Sequence, residues 1–304
     1  MRILFLTAAL LFGTLQAKLI DLDIDLSAGV RHDKLSAEIK TYNPPPANST
    51  LTKGSLISTD DFKTSEITLY QIGLKSRWRP CNWIAYFEGS YAFSNNGRFC
   101  EEIIPAPGVL GRRSRVQATF HDGRARDLTL GAGYLFPICR WVSIGPLFGW
   151  SYHYQRFHTK NPLLNHTPSP VTHVRYINRW QGPWAGLDLA LSLLCFDFHA
   201  GYAYTWGDWY ATWLLTAVNT ERRAYADRPR APGHTLYIDG QFNIWPCFNI
   251  AVGLKYYHYR IHHGVPNPKA ITTTTINPLD LLEARVPHAK WEAIVATFDI
   301  GFSF

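Results

Sequence analysis

Apolar and polar residues alternate with a period of two along most of the chain. In the first such stretch, from Ile20 to Arg31, the aliphatic side chains fall on one face, and Asp21, Asp23 and Asp25 fall on the other. A period of two is that of a β-strand, whereas a helix would scatter these acids around its circumference. The pattern therefore predicts strands with one apolar and one polar face.

The same alternation recurs in nine further segments. Together they predict ten strands, at residues 20–31, 68–77, 85–91, 128–136, 142–153, 173–193, 196–206, 236–244, 249–257 and 294–304. Closure of an even number of antiparallel strands leaves no unpaired strand edge in lipid. We therefore predict an all-β fold, a ten-stranded antiparallel transmembrane β-barrel. A soluble β-sandwich is the alternative, but a row of acids opposite bare aliphatic residues suits a polar lumen better.

The predicted connections alternate between short and long. The short ones are residues 79–82, 137–140, 194–195 and 245–248, and the long ones are about 32–65, 94–126, 157–172, 207–233 and 260–288. Outer-membrane barrels have short periplasmic turns and longer extracellular loops. The four short connections are thus expected in the periplasm and the five long ones outside the cell.

The N-terminal residues 1–17 have a basic start, an apolar middle and a small residue, Ala17, at their end. This order predicts a secretory signal peptide, with the barrel occupying residues 18–304. The chain ends on Phe304, preceded by apolar residues at alternate positions. That ending resembles the C-terminal signal of outer-membrane barrels, so we expect the protein in the outer membrane of a Gram-negative bacterium.

The composition agrees with a membrane barrel and indicates which class of partner the protein binds. Aromatic residues make up 14% of the chain and charged residues only 17%, and Tyr and Trp favour the membrane interface. The formal charge of +7 indicates an anionic partner. For an exported barrel this means outer-membrane lipid or lipopolysaccharide sooner than nucleic acid, and no motif indicates a cofactor.

Four of the five cysteines fall in the four short connections. They are Cys81, Cys139, Cys195 and Cys247. Neighbouring turns on a barrel rim are too far apart for a disulfide without backbone movement. These cysteines are therefore either unreactive turn residues or points of disulfide cross-linking to other envelope proteins. The spacing that holds a metal between paired cysteines is absent, so no metal site is expected.

Two of the long connections, the second and the fourth, are rich in arginine. Their arginines are Arg112, Arg113, Arg115, Arg124, Arg126, Arg222, Arg223, Arg228 and Arg230. Guanidinium groups suit phosphate and carboxylate, so these residues are the candidate ligand-binding set. The alternative is a solvated charge run at the strand ends.

Three motifs in the middle of the chain resemble the omptin family of ten-stranded outer-membrane barrels. They are Asp127-Leu-Thr-Leu-Gly-Ala-Gly-Tyr134, Tyr154-Gln155-Arg156, and Trp180-Gln-Gly-Pro-Trp-Ala-Gly-Leu187 followed by Phe196-Asp-Phe-His-Ala-Gly-Tyr202. The Trp-Gln-Gly-Pro-Trp segment and the turn cysteines also resemble the Protochlamydia outer membrane protein family.

The resemblance to omptins implies a surface protease, but its catalytic motifs are missing. Omptin proteases activate water between an Asp pair on the second outer loop and an Asp-His pair on the fourth. The second loop here has Glu101-Glu102 and His121-Asp122, and the fourth has Asp227 and, at its end, His234. A catalytic residue set is therefore not expected, and the chain is predicted not to be an enzyme.

The sequence favours a structural or surface-interaction barrel with basic outer loops. Charged residues predicted to face the lumen should pair across a narrow barrel, which leaves little open channel. They are Asp21, Asp23, Asp25, Lys75, Arg77, Glu88, Asp188, Asp197, His199, Asp239, Lys255 and Asp299. A small-solute channel and a divergent omptin-type protease stay open as alternatives, and the oligomeric state is not determined.

Overall fold

The computed structural model describes most of the predicted barrel. The described residues are 22–42, 56–65, 67–80, 82–94, 96–109, 112–160, 162–165, 167–168, 171–217, 220–226, 230–262 and 283–304. The predicted signal peptide, residues 1–17, lies outside this set, as do Asp21, Cys81, Asp227 and Arg228. None of the described residues belongs to a helix of the length and hydropathy that crossing a membrane requires.

Nearly all of the described residues belong to strands. The strands are β1 (Leu22–Tyr42), β2 (Leu56–Ser65), β3 (Ile67–Trp78), β4 (Trp83–Ser94), β5 (Arg98–Pro105), β6 (Ser114–Tyr134), β7 (Phe136–Pro137), β8 (Val142–Lys160), β9 (Leu163–Leu164), β10 (Thr167–Pro168), β11 (Val171–Leu193), β12 (Phe196–Ala217), β13 (Thr220–Ala226), β14 (Arg230–Trp245), β15 (Phe248–His262) and β16 (Glu283–Ser303).

Ten of these strands form a closed antiparallel ring. The order is β1, β3, β4, β6, β8, β11, β12, β14, β15 and β16, and β16 pairs again with β1. Each ring strand overlaps one of the ten predicted segments, so the predicted fold class is confirmed. At the outer end of the ring β2 pairs with β1 and β5, and β13 pairs with β12. The short β7 pairs with β8 at the opposite end.

The outer surface of the ring is a belt of exposed apolar side chains. On β1, Leu26 is 65% exposed, whereas its neighbours Asp25 and Ser27 are buried. On β16, Phe298 is 49% exposed, whereas Asp299 is 2% exposed. Such an inverted surface is stable only against hydrocarbon, so the belt marks the membrane-spanning part of the barrel.

Strands extend far into the segments that were predicted as long loops. Strand β1 continues to Tyr42, β8 continues to Lys160, and β16 already begins at Glu283. Beyond the membrane the alternation persists but its polarity reverses. The inward positions of β1 are polar up to Asp33 and become apolar from Leu35 onward. Outside the bilayer the outward face meets water, so the apolar face must point inward.

The short connections are tight turns in the part of the chain that the structure describes. Leu194 has a positive φ of 52° in the turn between β11 and β12. The carbonyl of Cys195 accepts a hydrogen bond from the Asn243 amide at 2.8 Å, and that of Cys247 accepts one from the Ser303 amide at 3.2 Å. Each of these turns is therefore fastened to the next strand.

The predicted charge pairing across the lumen is also found. Lys75 Nζ lies 2.6 Å from Asp299 and 3.3 Å from Asp239, and Lys255 pairs with Glu88. Each of these pairs joins strands that are not neighbours in the ring. They satisfy charges that would otherwise be buried without partners.

A second polar cluster lies at the lower end of the lumen. Asp188 accepts hydrogen bonds from Tyr237 at 2.6 Å and is bonded to His199 Nδ1 at 3.1 Å. Arg79 pairs with Asp23 at 2.8 Å. The sequence did not predict these specific pairs, although Asp23, Asp188 and His199 are among the residues predicted to face the lumen.

An aromatic and ionic layer closes the lumen above these charges. Arg31 is fully buried, pairs with Asp33 and Asp127, and lies 5.3 Å above the ring of Trp291. Trp180 and Trp209 fill the same layer and are also fully buried. We call the layer formed by Arg31, Asp127, Trp180, Trp209 and Trp291 the lumen plug.

Below the lumen plug lies a polar cavity of about 80 Å³. Its walls include Lys75, Glu88, Asp239 and Lys255. At roughly 10–15 Å³ for each water, this volume holds several ordered waters.

Replacement of Trp291 by alanine tests whether the lumen plug is a packed core. Trp291→Ala removes the ring that contacts Arg31, Tyr257 and Tyr259. We expect a loss of about 3–5 kcal/mol in the free energy of unfolding, the usual cost of such a cavity. Urea unfolding of the refolded barrel in detergent micelles, followed by circular dichroism, measures it. Phe298→Ala on the lipid-facing side of the same strand is the control, and an equal loss in both variants would contradict the interpretation.

Candidate functional site

Basic side chains cluster on the outer wall just beyond the apolar belt. They come from three neighbouring strands, β6, β8 and β11. Arg124 on β6 is in register with Arg156 on β8. Tyr154 on β8 is in register with Arg126 on β6 and with Arg179 on β11, so these two arginines lie at the same level. We call Arg124, Arg126, Arg156, Arg175 and Arg179 the arginine patch. It is the strongest candidate site because it joins charge, exposure and close packing on one surface.

The centre of the arginine patch is a histidine that contacts two arginines. The Nε–H groups of Arg156 and Arg175 both point to Nε2 of His158, at 2.9 and 2.8 Å. Two guanidinium groups are thereby held next to each other although their charges repel. We call this arrangement of Arg156, His158 and Arg175 the arginine clasp.

His158 must be neutral for its Nε2 atom to accept these bonds. Its burial and the nearby charges of Arg156 and Arg175 lower its pKa to about 4, and Arg124 acts in the same direction. Asp122 opposes the shift without overcoming it. His158 lies eight residues beyond the exposed Trp150 on β8, so it belongs to the part of the strand outside the membrane.

Tyrosine rings position the lower tier of the arginine patch. The Arg126 guanidinium lies 5.7 Å from the ring centre of Tyr91 and 5.9 Å from that of Tyr154. Arg179 lies at the same two distances from Tyr152 and Tyr210. Aromatic faces hold a guanidinium without neutralising it.

Two acids lie near the arginine patch. Asp122 binds Arg124 Nε at 3.0 Å, and the exposed Asp208 is in register with Gln181, next to Arg179 on the outer face. Five arginines against these two acids leave the surface positive.

Of the predicted ligand-binding arginines that the structure describes, Arg124 and Arg126 belong to the patch. Arg112, Arg113 and Arg115 are exposed near the start of β6, where Arg113 pairs with Glu102 and Arg115 Nε lies 3.1 Å from Cys100 Sγ. Arg222 and Arg223 lie on β13 and Arg230 begins β14, on another part of the wall. The structure therefore does not bring the predicted set together.

Sequence reasoning missed Arg156, Arg175 and Arg179. Arg175 and Arg179 lie at outward positions of the predicted strand 173–193, and Arg156 lies three residues beyond the predicted strand 142–153. None of them belongs to the arginine-rich loops that gave the predicted set. The signal was present in β8, where Tyr152, Tyr154 and Arg156 replace the aliphatic residues that face lipid lower on the strand.

The turn cysteines are accessible where the structure describes them. Cys139, Cys195 and Cys247 are free and exposed at three turn tips. Cys81 lies outside the described residues. Cross-linking through these thiols stays a prediction.

The residues that could replace the omptin catalytic set lie apart. His121 is exposed, and Asp122 binds Arg124 on the outer wall. His234 also points outward, where its Nδ1 atom bonds the Tyr202 hydroxyl at 2.8 Å. Its predicted companion Asp227 is outside the described residues.

The two glutamates of the second loop have different surroundings. Glu102 pairs with Arg113 at the surface, whereas Glu101 is buried on the inner face of β5. Burial raises the pKa of Glu101 to about 8, and the charge of Asp60 adds to this effect. A neutral Glu101 is compatible with the apolar core of the outer extension, which includes Phe62 and Phe99.

Comparison with known proteins supports an outer-membrane assignment. The family model described as Protochlamydia outer membrane protein matches residues 25–304. No curated protein matches this chain.

Solved structures show what the fold is similar to. The outer membrane protease OmpT from Escherichia coli aligns with a TM-score of 0.69 at 11% identity, over 93% of this chain and 97% of that one. The toluene transporter TodX from Pseudomonas putida aligns at 0.34 and 7% identity, over 92% and 89%. The attachment invasion locus protein Ail from Yersinia pestis aligns at 0.27 and 12% identity, over 93% and 99%. At 11% identity the likeness to OmpT concerns the fold alone. The TM-scores of TodX and Ail are too low to support any conclusion about this chain.

The arginine clasp predicts an unusual titration. His158 should titrate near pH 4 instead of at its ordinary 6.5, which NMR of ring-labelled histidine can measure. Because the pKa is lower in the folded state, the unfolded chain binds more protons between these two values, and stability should fall as the pH drops through that window. Replacement of Arg156 and Arg175 by glutamine should raise the pKa of His158, and an unchanged pKa in this variant would contradict the arrangement.

Proposed function

The chain belongs to the Protochlamydia outer membrane protein family, and from this premise we propose that it is a surface-interaction barrel whose outer wall binds anionic glycolipid headgroups. It is a β-barrel of the bacterial outer membrane with the fold of OmpT. The observation that carries the proposal is the arginine clasp. Two guanidinium groups held together at a membrane surface form a site for phosphate.

The chemistry of the arginine clasp favours an anion. The Nε–H groups of Arg156 and Arg175 are directed to His158. This orientation leaves the terminal amino groups of both arginines for a ligand. These groups bind phosphate or carboxylate oxygens in a bidentate manner. An anion between them would also relieve the repulsion of the two positive charges.

The position of the arginine patch favours a lipid headgroup. Arg126 lies four residues beyond the exposed Leu130 on β6, about 13 Å along the strand. Arg156 lies six residues beyond Trp150 on β8, about 20 Å along that strand. Because barrel strands are tilted, both heights above the belt are shorter and fall in the headgroup region. Lipopolysaccharide is the anionic glycolipid that we propose there.

The interior supports binding in preference to conduction or catalysis. The lumen plug crosses the barrel with fully buried Trp180, Trp209 and Trp291. Of the residues considered for an alternative catalytic site, Asp122 and His234 bind Arg124 and Tyr202 on the outer wall. We therefore propose that the chain neither conducts solutes nor cleaves peptides.

The turn cysteines favour a second kind of contact. Cys139, Cys195 and Cys247 present exposed thiols at the end opposite to the arginine patch. We propose that they contact other envelope proteins through disulfides, which non-reducing electrophoresis of the envelope fraction would reveal.

Removal of the arginine clasp should weaken binding of phosphorylated glycolipid. For the double variant Arg156→Gln and Arg175→Gln, we expect at least about a tenfold loss of affinity for each charge-assisted bond removed. The measurement is titration of the refolded barrel with nanodiscs that contain diphosphorylated lipid A, with dephosphorylated lipid A as the ligand control.

A matched control variant uses the arginines near the start of β6. Arg112→Gln with Arg113→Gln removes the same charge from exposed positions outside the patch. If this control loses as much affinity as the clasp variant, the binding depends on net charge and the proposed site is wrong.

Purified refolded protein should show neither channel conductance nor peptide cleavage. In planar bilayers we expect no steady single-channel conductance, because the lumen plug fills the barrel. In peptide digests scored by mass spectrometry we expect no cleavage, with or without lipopolysaccharide. Stable conductance steps would replace the proposal with a channel, and cleavage lost on His121→Ala or His234→Ala would replace it with a protease.

A further inference from the structure

Three buried oxygen atoms without hydrogen-bond partners lie at the lower end of the lumen. They are Oδ1 of Asp25, Oδ1 of Asn249 and Oδ1 of Asp299. The three residues are only 9%, 0% and 2% exposed. A buried polar atom without a partner is costly, and a buried carboxylate oxygen especially so.

Strand register brings the three side chains to one place. Asp25 on β1 and Asn249 on β15 are both in register with Gly301 on β16. Asp299 is the next inward residue on β16. A Cβ atom added to Gly301 would lie 2.5 Å from Asn249 Oδ1 and closer still to Asp25 Oδ1. The absence of a side chain at Gly301 gives the Asp25 Oδ1 atom room beside Asn249 Oδ1, and the charge of Asp299 acts on Asp25.

The neighbouring cations do not satisfy these oxygen atoms. Lys75 binds the other carboxylate oxygen of Asp299 and also contacts Asp239. Arg77 and Lys75 act on Asp25 through their charges, but no donor lies within hydrogen-bond distance of its Oδ1 atom.

The lower lumen as a whole carries an excess of acid. Among the described residues below the lumen plug, seven carboxylates face four cationic side chains. The acids are Asp23, Asp25, Glu88, Asp188, Asp197, Asp239 and Asp299, and the cations are Lys75, Arg77, Arg79 and Lys255. A cation bound beside Asp25 and Asn249 would reduce this imbalance.

We propose that Asp25, Asn249 and Asp299 bind a calcium ion. Calcium takes only oxygen ligands and tolerates irregular geometry, and water from the adjacent cavity, which Asp25 also lines, would complete its shell. The described residues contain no group of three or more His, Cys, Asp and Glu side chains suited to a metal. The proposed site differs in that an amide oxygen supplies the third protein ligand.

The proposed ion would lie at the seam of the barrel. Its ligands come from β1, β16 and β15, and the first and last strands of the ring meet there. Calcium would therefore stabilise the closed barrel from within, independently of any ligand on the outer wall.

Calcium should raise the thermal stability of the refolded full-length chain in detergent micelles. With two carboxylates and a nearby Lys75, we expect a weak site, with a Kd of about 10⁻⁴–10⁻³ M. After treatment with chelator, about 10 mM CaCl₂ should raise the Tm by roughly 2–4 °C relative to NaCl of equal ionic strength. Terbium luminescence sensitised by the protein's aromatic residues, and its displacement by calcium, measures binding directly.

Two variants separate a calcium site from a simple hydrogen bond. Asn249→Asp adds a third carboxylate, which should tighten calcium binding by roughly tenfold. If instead the Asn249 amide donates to Asp25, the same change places two carboxylates in contact, lowers the Tm and produces no response to calcium. That result would overturn the proposal.

Asp25→Asn should abolish both the calcium-dependent Tm shift and terbium binding. Asp197→Asn is the matched control, because Asp197 lies at the same end of the lumen but already accepts a hydrogen bond from Asn243 at 2.8 Å. Equal responses of the wild type and Asp25→Asn to calcium would also overturn the proposal, since the ion would then bind elsewhere.

Discussion

Pairing of β1 with β16 is the interaction on which the rest of this structure depends. Leu22 and Phe304 exchange both backbone hydrogen bonds, at 2.9 and 3.2 Å, so the two ends of the described barrel are tied together. Without this seam, two strand edges would expose unpaired N–H and C=O groups to hydrocarbon, where no water can satisfy them. Closure also creates an interior, and each polar side chain that points inward must then find a partner.

The surroundings of the strands change along their length, and the interior changes with them. Where lipid lies outside, the interior is polar and is held by pairs such as Lys75 with Asp299. Where water lies outside, the interior is apolar, with Phe62 and Phe157 in its core. The lumen plug lies at the boundary between these regions, and the buried Arg31 joins them by pairing with acids while it packs on Trp291.

The outer wall follows the same change of medium. Side chains that face lipid on the lower part of β8 are replaced by tyrosines and then by Arg156 as the strand leaves the bilayer. Strand pairing adds Arg175 from β11, and His158 stays neutral between the two guanidinium groups because their charges oppose its protonation. A surface that suits the headgroup region thus arises from the strands of the wall and not from the loop tips.

The sequence by itself determined the ten strands, most of their lipid-facing residues and their short turns, because a period of two beside hydrocarbon leaves one face largely apolar. It also determined that charges such as Lys75 and Asp239 share an interior. Only the tertiary structure decided how far the strands extend, because beyond Asp33 the apolar residues point inward and no longer mark lipid. It alone decided that Arg156 meets Arg175 and that Asp25 meets Asn249, because strand register brings together residues that lie far apart along the chain.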